Sequence, residues 1–141
     1  MALEPYLTQA AGKAALDAIV DLLDAGGAGT IKFYGTAKPA TANTATSGQT
    51  LGATCTFSAT AFGNATTADP SVATAAAITD DSAADADITV VWARMAGGGG
   101  TTVLDCTVGT ASTDIVFNTN VFVTGATVSV SALTVTMPLH P

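Results

Sequence analysis

The densest group of metal-ligating side chains is Asp80-Asp81-Ser82-Ala83-Ala84-Asp85-Ala86-Asp87. Hard carboxylate oxygens at such close spacing can hold Ca²⁺. The run lacks the glycine and the closing glutamate of an EF-hand loop. It therefore reads as a solvated turn between strands, and no metal or other cofactor is assigned to it. Gly97-Gly98-Gly99-Gly100 resembles a phosphate loop only in composition. No Lys-Ser/Thr follows, and Thr101-Thr102-Val103-Leu104 reads as strand rather than helix start, so the glycines are expected to form a mobile turn. Cys55 and Cys106 sit at alternating positions with no histidine partner in view, as small buried thiols would. The single histidine, His140, lies between Leu139 and Pro141, where nothing obvious orients it as a base. Trp92 and Arg94 could form a sugar platform. Their parity with Ile88 and Val90 instead predicts Trp92 in the core and Arg94 at its rim, paired with an aspartate. These residue types do not make an enzyme, and none is expected.

Charged residues make up only 11% of the chain, against about 25% in ordinary soluble domains. Threonine, serine, alanine, valine and glycine replace them. Such a surface suits a protein whose outside is covered by neighbours. The 11 acidic against 4 basic residues give a net charge of −7. That excludes phosphate neutralisation, and with it nucleic acid as a partner, and it disfavours anionic membrane surfaces. Mean hydropathy is +0.46, yet no apolar run approaches the ~18 residues of a spanning helix. Met1-Ala2-Leu3-Glu4-Pro5 lacks the basic start and apolar run of a secretory signal, so synthesis in the cytosol is expected, with the cysteines as thiols.

The 141 residues read as one domain. Residues 5–25 have helical spacing, with Leu7, Ala11, Ala14, Ala18 and Leu22 on an apolar face and Gln9, Lys13, Asp17 and Asp21 opposite. Gly26 and Gly27 end the helix. From about residue 29 to 138 the period is two. Expected strands carry Ile31 and Phe33; Leu51 to Phe57; Val72 to Thr79; Ile88 to Met95; Leu104 to Val108; Ile115 and Phe117; and, longest, Val128 to Met137. In the last of these Val128 and Val130 lie on one parity, and Leu133, Val135 and Met137 on the other. This slip near Ala132 predicts a bulge or a strand bending between sheets. The fold class is mainly β: a jelly-roll-like antiparallel β-sandwich with one N-terminal amphipathic α-helix.

Segment order adds a resemblance. The helix end at residues 15–27 runs into Gly29-Thr30-Ile31-Lys32-Phe33-Tyr34. Later come residues 76–86, Trp92-Ala93-Arg94, residues 100–105 and a closing segment at residues 128–138. The whole resembles small tailed-phage and prophage virion proteins, in particular capsid cement, or decoration, proteins of the Bordetella podophage kind. The resemblance implies a sandwich bound to the outside of an HK97-type shell of major capsid protein, made in the host cytoplasm and bridging capsomers as a symmetric oligomer. It supplies no catalytic residues. Another virion part, such as a tail, baseplate or fibre base, and a small carbohydrate-binding sandwich are the alternatives. Self-association as a homodimer is expected from the Ala-rich helix face and the low surface charge. The contacts are expected from two terminal arms, through Glu4, Pro5, Tyr6 and Leu7 at one end and Pro138, Leu139, His140 and Pro141 at the other.

Overall fold

The computed structural model describes residues 6–140. It holds one helix, α1 (Gln9–Asp21), followed by β1 (Thr30–Tyr34), β2 (Leu51–Phe57), β3 (Ser71–Thr74), β4 (Ile78–Thr79), β5 (Ile88–Thr89), β6 (Trp92–Ala96), β7 (Thr102–Gly109), β8 (Ile115–Val116), β9 (Val121–Phe122) and β10 (Thr134–Met137). Six strands form one sheet in the order β4-β2-β1-β6-β7-β8. Two ribbons, β10-β3 and β5-β9, accompany it. The fold is mainly β and sandwich-like. The second layer is the β3-β10 ribbon with α1 packed on it, and one hydrophobic cluster joins Leu16, Val20 and Ala73 to Ile31, Phe33 and Met95 of the large sheet.

The helix is shorter than its periodicity suggests. Thr8 caps it, its hydroxyl accepting from the Ala11 N–H at 3.2 Å. Its end leads into Gly26 and Gly27, both with positive φ. The expected apolar face is also corrected. Ala11, Ala14, Ala18 and Leu22 face solvent, and the buried residues are Gly12, Leu16, Val20 and, just beyond, Leu23. Alanines fit either side of a helix. The larger Leu16, Val20 and Leu23 gain more by burial and decide the orientation.

The strand expected over Ile88 to Met95 is two strands. β5 pairs with β9, whereas β6 pairs with β1 and β7. The switch occurs at Val90 and Val91, whose N–H groups bond the Asn120 and Tyr34 carbonyls. It moves Trp92 to the opposite face of the large sheet from the Phe33, Ala93 and Met95 cluster. The closing strand is likewise shorter than expected. Val128 makes only a bridge with Asp81, and regular pairing begins at Thr134. Val128 and Val130 are buried, and Leu133, Val135 and Met137 are half-buried, so the parity slip is real and marks the passage from one sheet to the other. The wholly antiparallel expectation fails at β8, which pairs parallel to β7. Asp114 fixes that turn by accepting from both the N–H and the hydroxyl of Thr107, at 2.7 and 2.8 Å. The Gly97–Gly100 turn lies against the residues that follow the helix. Gly99 N–H reaches the Ala25 carbonyl at 3.3 Å, and a Cβ on Gly98 would lie 2.6 Å from the Gly27 backbone.

Candidate functional site

The chemistry-bearing residues are dispersed, and most of them hold backbone. In the acidic run, Asp81 accepts from the N–H groups of Thr54 (2.7 Å) and Ala83 (3.0 Å). Asp87 accepts from Thr124 N–H at 2.6 Å, and Asp80 accepts from the Ser129 hydroxyl at 2.6 Å. The run therefore ties β2 and the 124–129 segment together. Among the described residues, no group of three or more His, Cys, Asp or Glu side chains is placed to hold a metal ion. Outside the run, Asp17 and Asp24 do the same for Ala65 and Ala61, each at 2.6 Å. The Lys13 ammonium also pairs with Asp17.

These bonds lower carboxyl pKa values. The Lys13 side chain and then the Ala65 N–H hold Asp17 below the usual 3.8. Thr124 does so for Asp87, and Thr107 for Asp114. In the unfolded chain these carboxylates take up protons more readily. Their stabilisation is thus fully present above about pH 4 and is lost as pH falls through the depressed native values. The melting temperature is expected to hold steady between about pH 7 and 5 and to drop below about pH 4. A profile flat down to about pH 2.5 would contradict that reading.

Cys55 and Cys106 are buried free thiols. Cys55 donates to the Val128 carbonyl, with Sγ to O at 3.5 Å. Burial raises both thiol pKa values, that of Cys106 to about 11, with Asp114 and Asp105 adding to the shift. A reactive cysteine needs the opposite shift. Trp92 is buried, but not in the main core. It stacks on Tyr34 (4.5 Å, 15°), and its Nε1–H donates to the Thr36 carbonyl at 2.7 Å. Arg94 covers it at 5.4 Å and forks onto Asp105, Nε to Oδ1 at 2.7 Å and Nη2 to Oδ2 at 2.8 Å. Its Nη1 donates to the Thr44 carbonyl at 2.8 Å. At 1% exposure the indole offers no platform for a sugar ring.

Of the expected contact residues, Glu4, Pro5 and Pro141 lie outside the described residues. Tyr6, Leu7, Pro138, Leu139 and His140 lie within them. The two termini lie together in this structure. Leu7 N–H donates to the Leu139 carbonyl at 3.0 Å, the Tyr6 and His140 rings lie 5.9 Å apart, and His140 Nε2 is 3.1 Å from Asp69 Oδ2. The Leu139 side chain is buried against Gly12 and Ser71 and is not offered to a neighbour. Tyr6, Leu7, Pro138 and His140 remain at the surface.

The Leu139 contact explains a glycine inside a helix. Gly12→Ala should gain about 1 kcal/mol in helix propensity. Its Cβ would occupy the place of Leu139 Cδ2, forfeiting roughly 2–3 kcal/mol of leucine burial. A net loss of about 1–2 kcal/mol is expected. In a Leu139→Ala background the same change should become stabilising. Urea titration of the cycle reads both, and additive effects would show that the two residues do not compete for space.

The sequence reading missed an uncharged, cavity-lining region. After Asp114 the chain contains no Asp, Glu, Lys or Arg. This segment lines three adjoining cavities of about 410, 400 and 330 Å³. They share Ile115, Leu133, Phe117 and Ser129 among their walls and run from β10 past β8 to β9. Beside them Val116, Val121 and Val123 are 59%, 55% and 56% exposed. The absence of charge after Asp114 was the available signal. Comparison with family models, curated proteins and solved structures finds no match to this chain.

Proposed function

We propose that this chain is a structural virion protein that binds the outside of a tailed-phage capsid and cements neighbouring capsomers. The observation that carries the reading is the uncharged surface formed by the segment after Asp114, with its exposed Val116, Val121 and Val123, on a chain of net charge −7. Docking there desolvates mainly methyls and hydroxyls, with Asp114 on the cavity wall and Asp87 beside Thr124 as bordering charges, in keeping with the depletion of charge at the centre of a protein interface. The sequence resemblance points the same way. Repetition over a shell multiplies weak contacts into avidity. By mass action a ligand that spans subunits stabilises the assembled form.

The test uses shells of the major capsid protein assembled without this chain. Added protein is expected to sediment with them and to raise the temperature at which they break. Val121→Asp with Val123→Asp should weaken co-sedimentation at least tenfold, about 1.4 kcal/mol, with the melting curve of the free protein retained. A protein that never sediments with shells and leaves their rupture temperature unchanged would overturn the proposal.

A further inference from the structure

The free edge of β10 offers a hydrogen-bonding pattern that fits a second copy of itself. β10 pairs on one side only, with β3. The Leu133 carbonyl accepts from Ala75 N–H, so Leu133, Val135 and Met137 direct their backbone polar groups at β3. By alternation the N–H and C=O groups of Thr134 and Thr136 point the other way. Val72 and Thr74, opposite them on β3, send their carbonyls outward to Thr66 and Gly63 N–H groups. Thr134 and Thr136 are exposed and border the cavity of about 410 Å³ between β10 and the β7-β8 end of the large sheet.

Edges of this kind are normally blunted by lysine, proline or inward charge. Residues 129–137 carry none of these. Instead Leu133-Thr134-Val135-Thr136-Met137 reads the same in both directions by residue class: apolar, Thr, Val, Thr, apolar. We infer that β10 pairs antiparallel with β10 of a second copy about a two-fold axis at Val135, joining two β3-β10 ribbons into one continuous sheet. In that register Thr134 faces Thr136 of the second copy, and each donates and accepts through its free backbone groups. Leu133 meets Met137 and Val135 meets Val135 on the half-buried face, while threonines meet on the outer face. Centring on Thr136 would set Thr134 against Pro138, which has no N–H. Centring on Val135 therefore bonds the whole edge. The exposed Val116 of β8 (59%) borders the adjoining cavity beside β10. The inference does not depend on capsid binding.

Sedimentation equilibrium of the full chain at about 50 µM is expected to give the mass of two copies. Thr136→Pro removes an N–H that no described residue uses, so folding should persist. The dissociation constant should rise about tenfold or more as the inter-copy bonds are lost. Val135→Cys should form an intermolecular disulfide under mild oxidation, because the residue faces itself. Thr134→Cys should not, because it faces Thr136. A two-copy mass with this cross-linking pattern supports the pairing. A single-copy mass, a dimer indifferent to Thr136→Pro, or equal cross-linking of both cysteine variants overturns it. So does a single-copy protein whose shell binding is lost on Thr136→Pro, which would assign the edge to a capsid strand.

Discussion

Arg94→Met is expected to lower the unfolding free energy by about 3–5 kcal/mol. The side chains of Arg94 and Asp105 are 8% and 4% exposed, and the guanidinium fork satisfies both carboxylate oxygens. The Asp105 hydrogen bond holds Arg94 still more firmly protonated than usual. Methionine fills similar volume but leaves Asp105 as an uncompensated buried carboxylate. The same change cuts the tie to the Thr44 carbonyl and uncovers the Trp92 ring. The 36–50 loop should then be cleaved sooner by protease. Replacing both partners, Arg94→Met with Asp105→Leu, should recover much of the loss, because no charge is left buried. Urea denaturation of the three variants decides the matter. A single variant within about 1 kcal/mol of the parent would mean that the pair behaves as an exposed one.

Phe33→Ala should cost a similar amount, about 3–5 kcal/mol, but through a cavity instead of a charge. Phe33 is fully buried, and its ring meets those of Phe117 (5.4 Å, 76°) and Phe122 (5.7 Å, 72°) edge to face. Those two meet each other at 5.7 Å and 85°. The triad fastens the 117–122 segment to β1. Its loss should loosen the segment that presents Val121 and Val123, so shell binding should fall along with stability. Phe33→Leu keeps most of the volume and should cost less. Calorimetry on both variants reads the difference, and equal effects would argue against a packing origin.

The residues whose pattern was legible are those where size and alternation agree. Ile31, Phe33, Cys55 and Phe57 alternate with polar neighbours and are buried as their parity requires. The slip between Val130 and Leu133 is a local signal of the change of pairing along the closing segment. Reading failed where the deciding partner is distant in sequence. Gly12 faces inward where Leu139, distant in sequence, fills the space beside it. Trp92 is buried as expected, but on the opposite face of the large sheet from Phe33, because the chain changes pairing partner at Val90, which no local pattern records. β9 is two residues, too short to show a period, whereas the short strand expected at Ile115 is present as β8. The uncharged stretch was visible as composition, but nothing in the sequence said that its residues would line three adjoining cavities.

The carboxylates that grip the N–H groups of Thr54, Ala61, Ala65, Thr107 and Thr124 have a further consequence. Apart from Asp17, which also pairs with Lys13, these carboxylates are held by neutral donors, with the amides at 2.6–2.7 Å, so dissolved ions have no countercharge to displace. Added electrolyte shortens the reach of charge to about 3 Å at 1 M, still no shorter than these contacts. It also weakens the mutual repulsion of a chain at net −7. The protein should therefore tolerate brine while remaining vulnerable to acid.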